Sequence, residues 1–415
     1  MQNLLTNSHQ RLKRINYRLH LGRVINLSLS PLWIFGVILL RIVNLVKPVQ
    51  LGGINAGRLG HLVMDTEMFL AEREVGCPGY RMNSVNLRYV WTAGLPVCNQ
   101  LILDLWHSQF RFGPRWILQP VDTWNRKIPR GNATQTPWRK GPNILNQHND
   151  LYGALMRTEP HLPITNVHFQ QAERVLAHIR PDFDINKPYV CIHIRDASYF
   201  EHYQPQNRED ATRDAEISDY ELALRFLVAS SVQVVRMGAI SNLPLTFRDD
   251  LVWDYACDGS RSELLDIVLP ARCSFFISTL SGPDKLAQLF RRPVLFTNLA
   301  PLKSLSLWME NSLIAPKRLR YQNGCYLTWS EIFSHNLFTL KQRELTARGI
   351  ELVPNSPQEL RLAVEEMTLR LNGEKIDSCK VDCEWQRLID LIPSYLKAGG
   401  VRARIVEEFI PDQPE

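Results

Sequence analysis

Apolar and polar positions follow two different periods along this chain, and the switches between them mark its elements. The order is clearest from residue 186 onward. PYVCIHIRD (188–196) is a short continuous apolar run, as a strand buried on both faces requires, and 219–230 carries helical spacing behind Ser218 as N-cap. VQVVRMG (232–238) and LVWDYA (251–256) read as strands and 262–269 as a helix. CSFFISTL (273–280), SGPDKLAQLFR (281–291) and RPVLFTN (292–298) then give strand, helix, strand. Alternation of this kind is what a parallel sheet covered by helices needs. The tail predicts two amphipathic helices, SPQELRLAVEEMTLRL (356–371) with Ser356 and Glu359 as a capping box, and CEWQRLIDLIPSYL (383–396).

Before residue 186 the pattern is weaker. The segment 49–74 reads as strand, Gly-rich turn and helix, with Leu62, Met64, Met68 and Phe69 on one helical face. VNLRYVW (85–91) and NQLILDLW (99–106) predict strands, and 112–147, rich in Pro, Gly, Asn and Trp, predicts a long loop over a site. The apolar run from Val24 to Leu40 is shorter than the roughly 20 residues of a spanning helix and contains Pro31. It also lacks the small-residue cleavage site of a signal peptide. Two readings remain for it: a helix lying in the lipid headgroup region, or one packed on the protein's own core.

Charge sharpens the first of these. No Asp or Glu precedes Asp65, whereas Arg11, Lys13, Arg14, Arg18, Arg23, Arg41, Lys47 and Arg58 all do, so the formal net charge of +6 is an N-terminal property. Cations near anionic lipid gain about 1 kcal/mol each. The same residues alternate with Leu, Ile and Val and form no nucleic-acid-binding motif, which argues against a nucleic-acid partner. With 415 residues, 45% of them hydrophobic, two domains each with its own core are expected. The eight cysteines are scattered through apolar runs, as buried thiols in a reducing compartment would be, and the Cys379/Cys383 pair has no companions for a metal site.

Ligands of an open parallel sheet bind beyond the carboxyl ends of its strands, and three loops there carry chemistry. His193 and Arg195 end the first strand, with Asp196 at its mouth; Arg195 could clamp a pyrophosphate with a bidentate fork or simply end the strand in a salt bridge. Ser278, Thr279, Ser281 and Gly282 lie between strand and helix, as an anion site or as a helix cap with Pro283 at the first helical position. Arg208, in Asn207-Arg208-Glu209-Asp210, is a second phosphate clamp or part of a solvated charge cluster. Near the N-terminus, Gly57-Arg58-Leu59-Gly60-His61 combines a tight turn with a histidine placed to act as general base. Asp65 is the competing base and a structural role for His61 the alternative. Asp182-Phe183-Asp184 precedes its strand and reads as a surface turn.

Taken together, His193-x-Arg195, the Arg208 loop, the strand end Val235-Arg236-Met237-Gly238 and FISTLSGP resemble the nucleotide-binding lobe of a glycosyltransferase family of bacterial surface-polysaccharide loci. That family is distantly similar to fucosyltransferases with a His-x-Arg motif. The resemblance covers the chain from Gly57 to the tail helices. It implies an α/β fold of GT-B type, with two facing Rossmann-like domains, a basic N-terminal extension and C-terminal helices. The expected divisions are 1–48 at the membrane surface, 49–185 on the acceptor side, 186–345 on the nucleotide-sugar side and 346–415 as helices. It further implies transfer of a sugar from a nucleotide-diphosphate donor to a surface polysaccharide or lipid-linked glycan, on the inner face of the cell membrane, with no metal and no cofactor beyond the co-substrate. Arg195 would neutralise the departing diphosphate, His193, Arg208, Arg236, Ser278, Thr279, Ser281 and Gly282 would hold the donor, and His61 or Asp65 would be the base. Asp196 stands where the fucosyltransferases often carry a second Arg, so the resemblance does not select GDP-fucose. A nucleotide-sugar epimerase or hydrolase, or a catalytically silent membrane-associated glycan-assembly protein, is the alternative.

Overall fold

The computed structural model describes residues 28–129, 134, 150–203, 211–241, 243–374 and 379–410. The chain divides into two compact units that interleave along the sequence: 1–54, 78–91 and 109–141 form one, and 55–77, 92–108 and 142–415 the other. Segments 55–77 and 92–108, grouped with the N-terminal lobe on sequence grounds, thus count with the C-terminal unit.

The smaller unit holds a three-stranded sheet in the order β1 (Val49–Asn55), β2 (Val85–Trp91), β3 (Arg111–Phe112), with β2 and β3 parallel. Its core gathers Leu51 and Tyr89 from the sheet, Trp33 and Val37 from the helix Ser30–Val46, and Val121 from the helix Arg115–Lys127. Helix Arg115–Lys127 corrects the expectation of loop across 112–147: Pro114 takes the N-cap, Pro120 is absorbed within the helix, and Val121 supplies the buried contact that its composition hides. The two helices cross closely because residue 36 is glycine; a Cβ there would stand 2.8 Å from Val121 Cγ2. Among the described residues no helix is long and apolar enough to cross a membrane.

The larger unit is built on seven strands, all parallel: β4 (Tyr189–His193), β5 (Gln233–Arg236), β6 (Val252–Trp253), β7 (Phe275–Ser278), β8 (Val294–Leu299), β9 (Leu313–Pro316) and β12 (Arg404–Ile405). They lie in the order β12-β9-β8-β7-β4-β5-β6, while β10 (Arg318–Tyr321) and β11 (Ile350–Val353) pair separately and antiparallel. Numbered from β4, the sheet reads third, second, first, fourth, fifth, sixth, seventh: the chain winds outward from β4, then returns to its other side at β7. The strands predicted at 188–196, 232–238, 251–256, 273–280 and 292–298 are all present, and the protein is α/β with parallel strands, as their alternation with helices requires. A central strand such as β7 is fully buried, with Phe275, Phe276, Ile277 and Ser278 all inaccessible.

Residues 99–106 are a helix, Gln100–Trp106, and not the expected strand. The Asn99 side chain accepts from Ile102 N, and the Glu263 carboxylate accepts from the backbone N–H of Gln100 and of Leu101, so the first turn is capped twice.

Candidate functional site

The return of the chain from β6 to β7 reverses the winding of the sheet between β4 and β7, and the carboxyl ends of such a strand pair are where an open parallel sheet places a ligand crevice. His193 and Ser278 are register partners at that edge. The loops are then tied together: the Arg195 backbone N–H donates to Thr279 Oγ1 at 2.9 Å, while Thr279 and Ser278 are wholly buried. Asp284 sets the second loop. Its carboxylate accepts from Ser278 Oγ and the Ser281 backbone N–H, both at 2.6 Å, and from Gln288 Nε2 at 2.7 Å. Ser278 Oγ and Ser281 Oγ lie 3.1 Å apart, so these two serines shape the loop through Asp284.

Positive charge collects around this crevice. Arg195, 9% exposed, places Nε 3.1 Å from Asp214 Oδ1. Lys317, just past β9, donates from Nζ to the Asp214 carbonyl at 2.8 Å, and burial pushes its pKa down to about 8. Arg213 reaches the Leu280 carbonyl at 3.3 Å, in the loop after β7 where Leu280 adopts a φ of 60°. Lys285 is buried, its Nζ 3.3 Å from Asp284 Oδ1 without hydrogen-bond geometry to any described group, and burial lowers its pKa also. Four cations, Arg195, Arg213, Lys285 and Lys317, thus lie among the carboxylates of Asp65, Asp196, Asp214 and Asp284, the last of which already accepts from three donors. Burial raises the pKa of Asp214 against the pull of Arg195, Lys317 and Arg213. Burying charge is costly, and an anion that joined this cluster would add a partner for its cations. Of these four, sequence reasoning found Arg195 alone. Lys285 lay in plain view within SGPDKL, and Lys317 follows a strand that was not recognised; Arg213 sits in a short turn with no periodic pattern.

His193 stands in the same wall with Nδ1 unpartnered among the described groups. Burial pushes its pKa down to about 4 against the opposing pull of Asp284 and Asp196, so near neutrality it is an uncharged hydrogen-bonding group. Arg236 is committed elsewhere: Nη1 bonds the Leu243 carbonyl at 2.7 Å and Asp254 at 3.3 Å, and Nη2 bonds Ser241 Oγ. Arg208 lies outside the described residues.

The Gly57–His61 turn belongs to the same compact unit and meets the β7 loop directly. Cβ atoms built at Gly60 and Gly282 would stand 3.6 Å from Gly282 Cα and 3.5 Å from Gly60 N, respectively, and Gly60 also borders Lys285. Gly57 passes so close to the next segment that a Cβ would lie 2.3 Å from the Thr92 carbonyl oxygen. The turn runs into one π-helical turn, His61–Asp65, which brings His61 Nδ1 within 3.0 Å of Asp65 Oδ2. Asp65 is mostly covered, whereas the His61 side chain is 37% exposed. The two residues expected as alternatives are thus one hydrogen-bonded pair, with Asp65 placed to fix the orientation of the His61 ring.

The sequence matches no protein-family model, and no curated protein matches it. Among solved structures, the iron-containing dodecameric glycosyltransferase TibC from enterotoxigenic E. coli H10407 is similar over 79% of this chain and 77% of its own, at 14% identity and a TM-score of 0.34. TibC as a heptosyltransferase in complex with ADP-D-beta-D-heptose aligns over 78% and 77%, at 13% identity and a TM-score of 0.35. A glycosyl transferase of family 9 from Veillonella parvula DSM 2008 aligns over 78% of this chain and 98% of its own, at 12% identity and a TM-score of 0.42.

Proposed function

We propose that this protein is a glycosyltransferase of GT-B type that moves a sugar from a nucleotide-diphosphate donor to a hydroxyl of a surface polysaccharide or lipid-linked glycan, working on the cytoplasmic face of a membrane. The observation that carries this reading is the set of cations at the strand reversal of a parallel sheet, Arg195, Lys285 and Lys317 buried and Arg213 half-buried. In the reaction, the bond between the anomeric carbon and the β-phosphate oxygen breaks and negative charge builds on the leaving diphosphate. The cations neutralise that charge in place of a divalent metal, which makes the transfer metal-independent. Thr279 fixes the Arg195 backbone, and His193, uncharged near neutrality, hydrogen-bonds the phosphates or the sugar. His61 Nε2 accepts the proton of the attacking hydroxyl, and Asp65 stabilises the imidazolium that forms. The His-x-Arg resemblance to fucosyltransferases supports the place given to Arg195.

The test is thermal unfolding of the wild type and of Arg195→Ala against a panel of nucleoside diphosphates and nucleotide sugars. Ligand at 100 times its dissociation constant adds about 2.7 kcal/mol to stability. A shift selective for one base in the wild type, and absent from Arg195→Ala, is the expected result. No shift with any nucleotide would remove the donor reading.

A further inference from the structure

Helix Ser30–Val46 divides its surface unequally. One stripe, Trp33, Val37 and partly Leu40, packs on the core of the smaller unit against Val121 and Tyr89. Arg41, on the same side, is held by Ile128 O at 3.0 Å and Asn125 Oδ1 at 3.3 Å. The rest of the helix is apolar and uncovered: Phe35, Ile38, Leu39 and Ile42, each at least half exposed, form a stripe at helical spacing, and Leu45 and Val46 beyond them are 84% and 89% exposed. So continuous an apolar face, about 17 Å long from Phe35 to Val46 at 1.5 Å per residue, is the mark of an interaction surface.

We infer that this face inserts into one leaflet of an anionic lipid bilayer, with the helix lying in the membrane plane. Fixed along one whole side to its own unit, the helix cannot turn to cross the bilayer, and it is too short to do so. Charge identifies the occupant. Five cations, Arg11, Lys13, Arg14, Arg18 and Arg23, precede the helix, Lys47 follows it, and no acidic residue occurs before Asp65. A second copy of the chain carries the same excess of cations in this stretch of sequence, whereas anionic headgroups complement it. On this inference the inner stripe belongs to the protein's core and the outer stripe to lipid. The inference does not depend on the donor reading, because its residues all lie in the smaller unit.

The experiment is sedimentation of the full-length protein with vesicles of phosphatidylcholine alone and of phosphatidylcholine mixed with phosphatidylglycerol. The wild type is expected to favour the mixed vesicles. Phe35→Ser/Ile42→Ser, both exposed positions, lowers the partition coefficient at least tenfold, which is the loss of about 1.4 kcal/mol of apolar burial. Leu45→Ser/Val46→Ser does the same, and replacing Arg11, Lys13 and Arg14 by Gln weakens the preference for phosphatidylglycerol at least tenfold. Unaltered melting temperatures show that each variant is folded. A wild type that stays in the supernatant overturns the inference, as do equal partition of wild type and variants, or a lipid-free dimer that the serine substitutions dissociate. A nucleotide-induced melting shift measured on the same preparations reports separately on the donor site.

Discussion

Lys317 is buried, so its charge is unwelcome to the fold, and in the proposed donor site that charge would serve a ligand. Burial holds its pKa down to about 8, with Arg195 pushing the same way and Asp214 opposing. An unfolded lysine titrates near 10.4, so between about pH 8 and about pH 10.4 the unfolded chain binds more protons than the folded one. The sign follows: this residue makes the free protein more stable as pH rises through that window, and its desolvation penalty is fully present below it. A bound diphosphate has the opposite preference, since it needs the lysine charged. Nucleoside diphosphate affinity is therefore expected to fall as pH climbs past about 8, by up to about tenfold per unit for one linked proton. Lys317→Arg keeps the charge and flattens the profile, leaving the share that belongs to Lys285. Titration calorimetry at several pH values checks this, and identical slopes in the two proteins would exclude Lys317 from the anion site.

The loops at the sheet's edge place these residues, and their geometry is set by close backbone approaches that few side chains tolerate. Gly57→Ala puts a methyl 2.3 Å from the Thr92 carbonyl oxygen, so one of the two segments must move. A loss of about 1–3 kcal/mol is expected, the usual cost of forced overpacking, read as a lower urea midpoint with an unchanged slope. No change in the midpoint would show that the turn is free to shift. At this scale the sequence was legible where a strand or helix carries its own signal. β4, β5 and β7 are short apolar runs, and Ser356 with Glu359 forms the capping box at Pro357–Leu371 that their spacing announces. It was not legible where the deciding partner lies far along the chain. QLILDLW fits strand and helix alike, and the Glu263 carboxylate that caps it as a helix comes from more than 160 residues away. The cationic site shows the same division: Arg195 ends a readable strand, whereas Arg213, Lys285 and Lys317 acquire meaning only when Asp214, Asp284 and the sheet order bring them together.

On the scale of the whole molecule, the two proposed ligands fall to different compact units. The outer face of helix Ser30–Val46, proposed for lipid, lies in the smaller, and the cation cluster with the His61–Asp65 pair, proposed for the donor, lies in the larger. The chain crosses between units several times, so no single cut in the sequence separates them, which is why linear boundaries describe this organisation poorly. Hydrogen exchange on the intact protein can address the units separately, since amide protection reports local opening. A nucleoside diphosphate is expected to slow exchange in the loops 194–198, 213–217 and 279–285, because anchoring the cations that hang from them suppresses their opening. It should leave helix Ser30–Val46 as it was. Anionic vesicles should protect that helix and leave the three loops unchanged. If the nucleotide protected the helix as strongly as the loops, the two surfaces would be coupled, and assigning one ligand to each unit would fail.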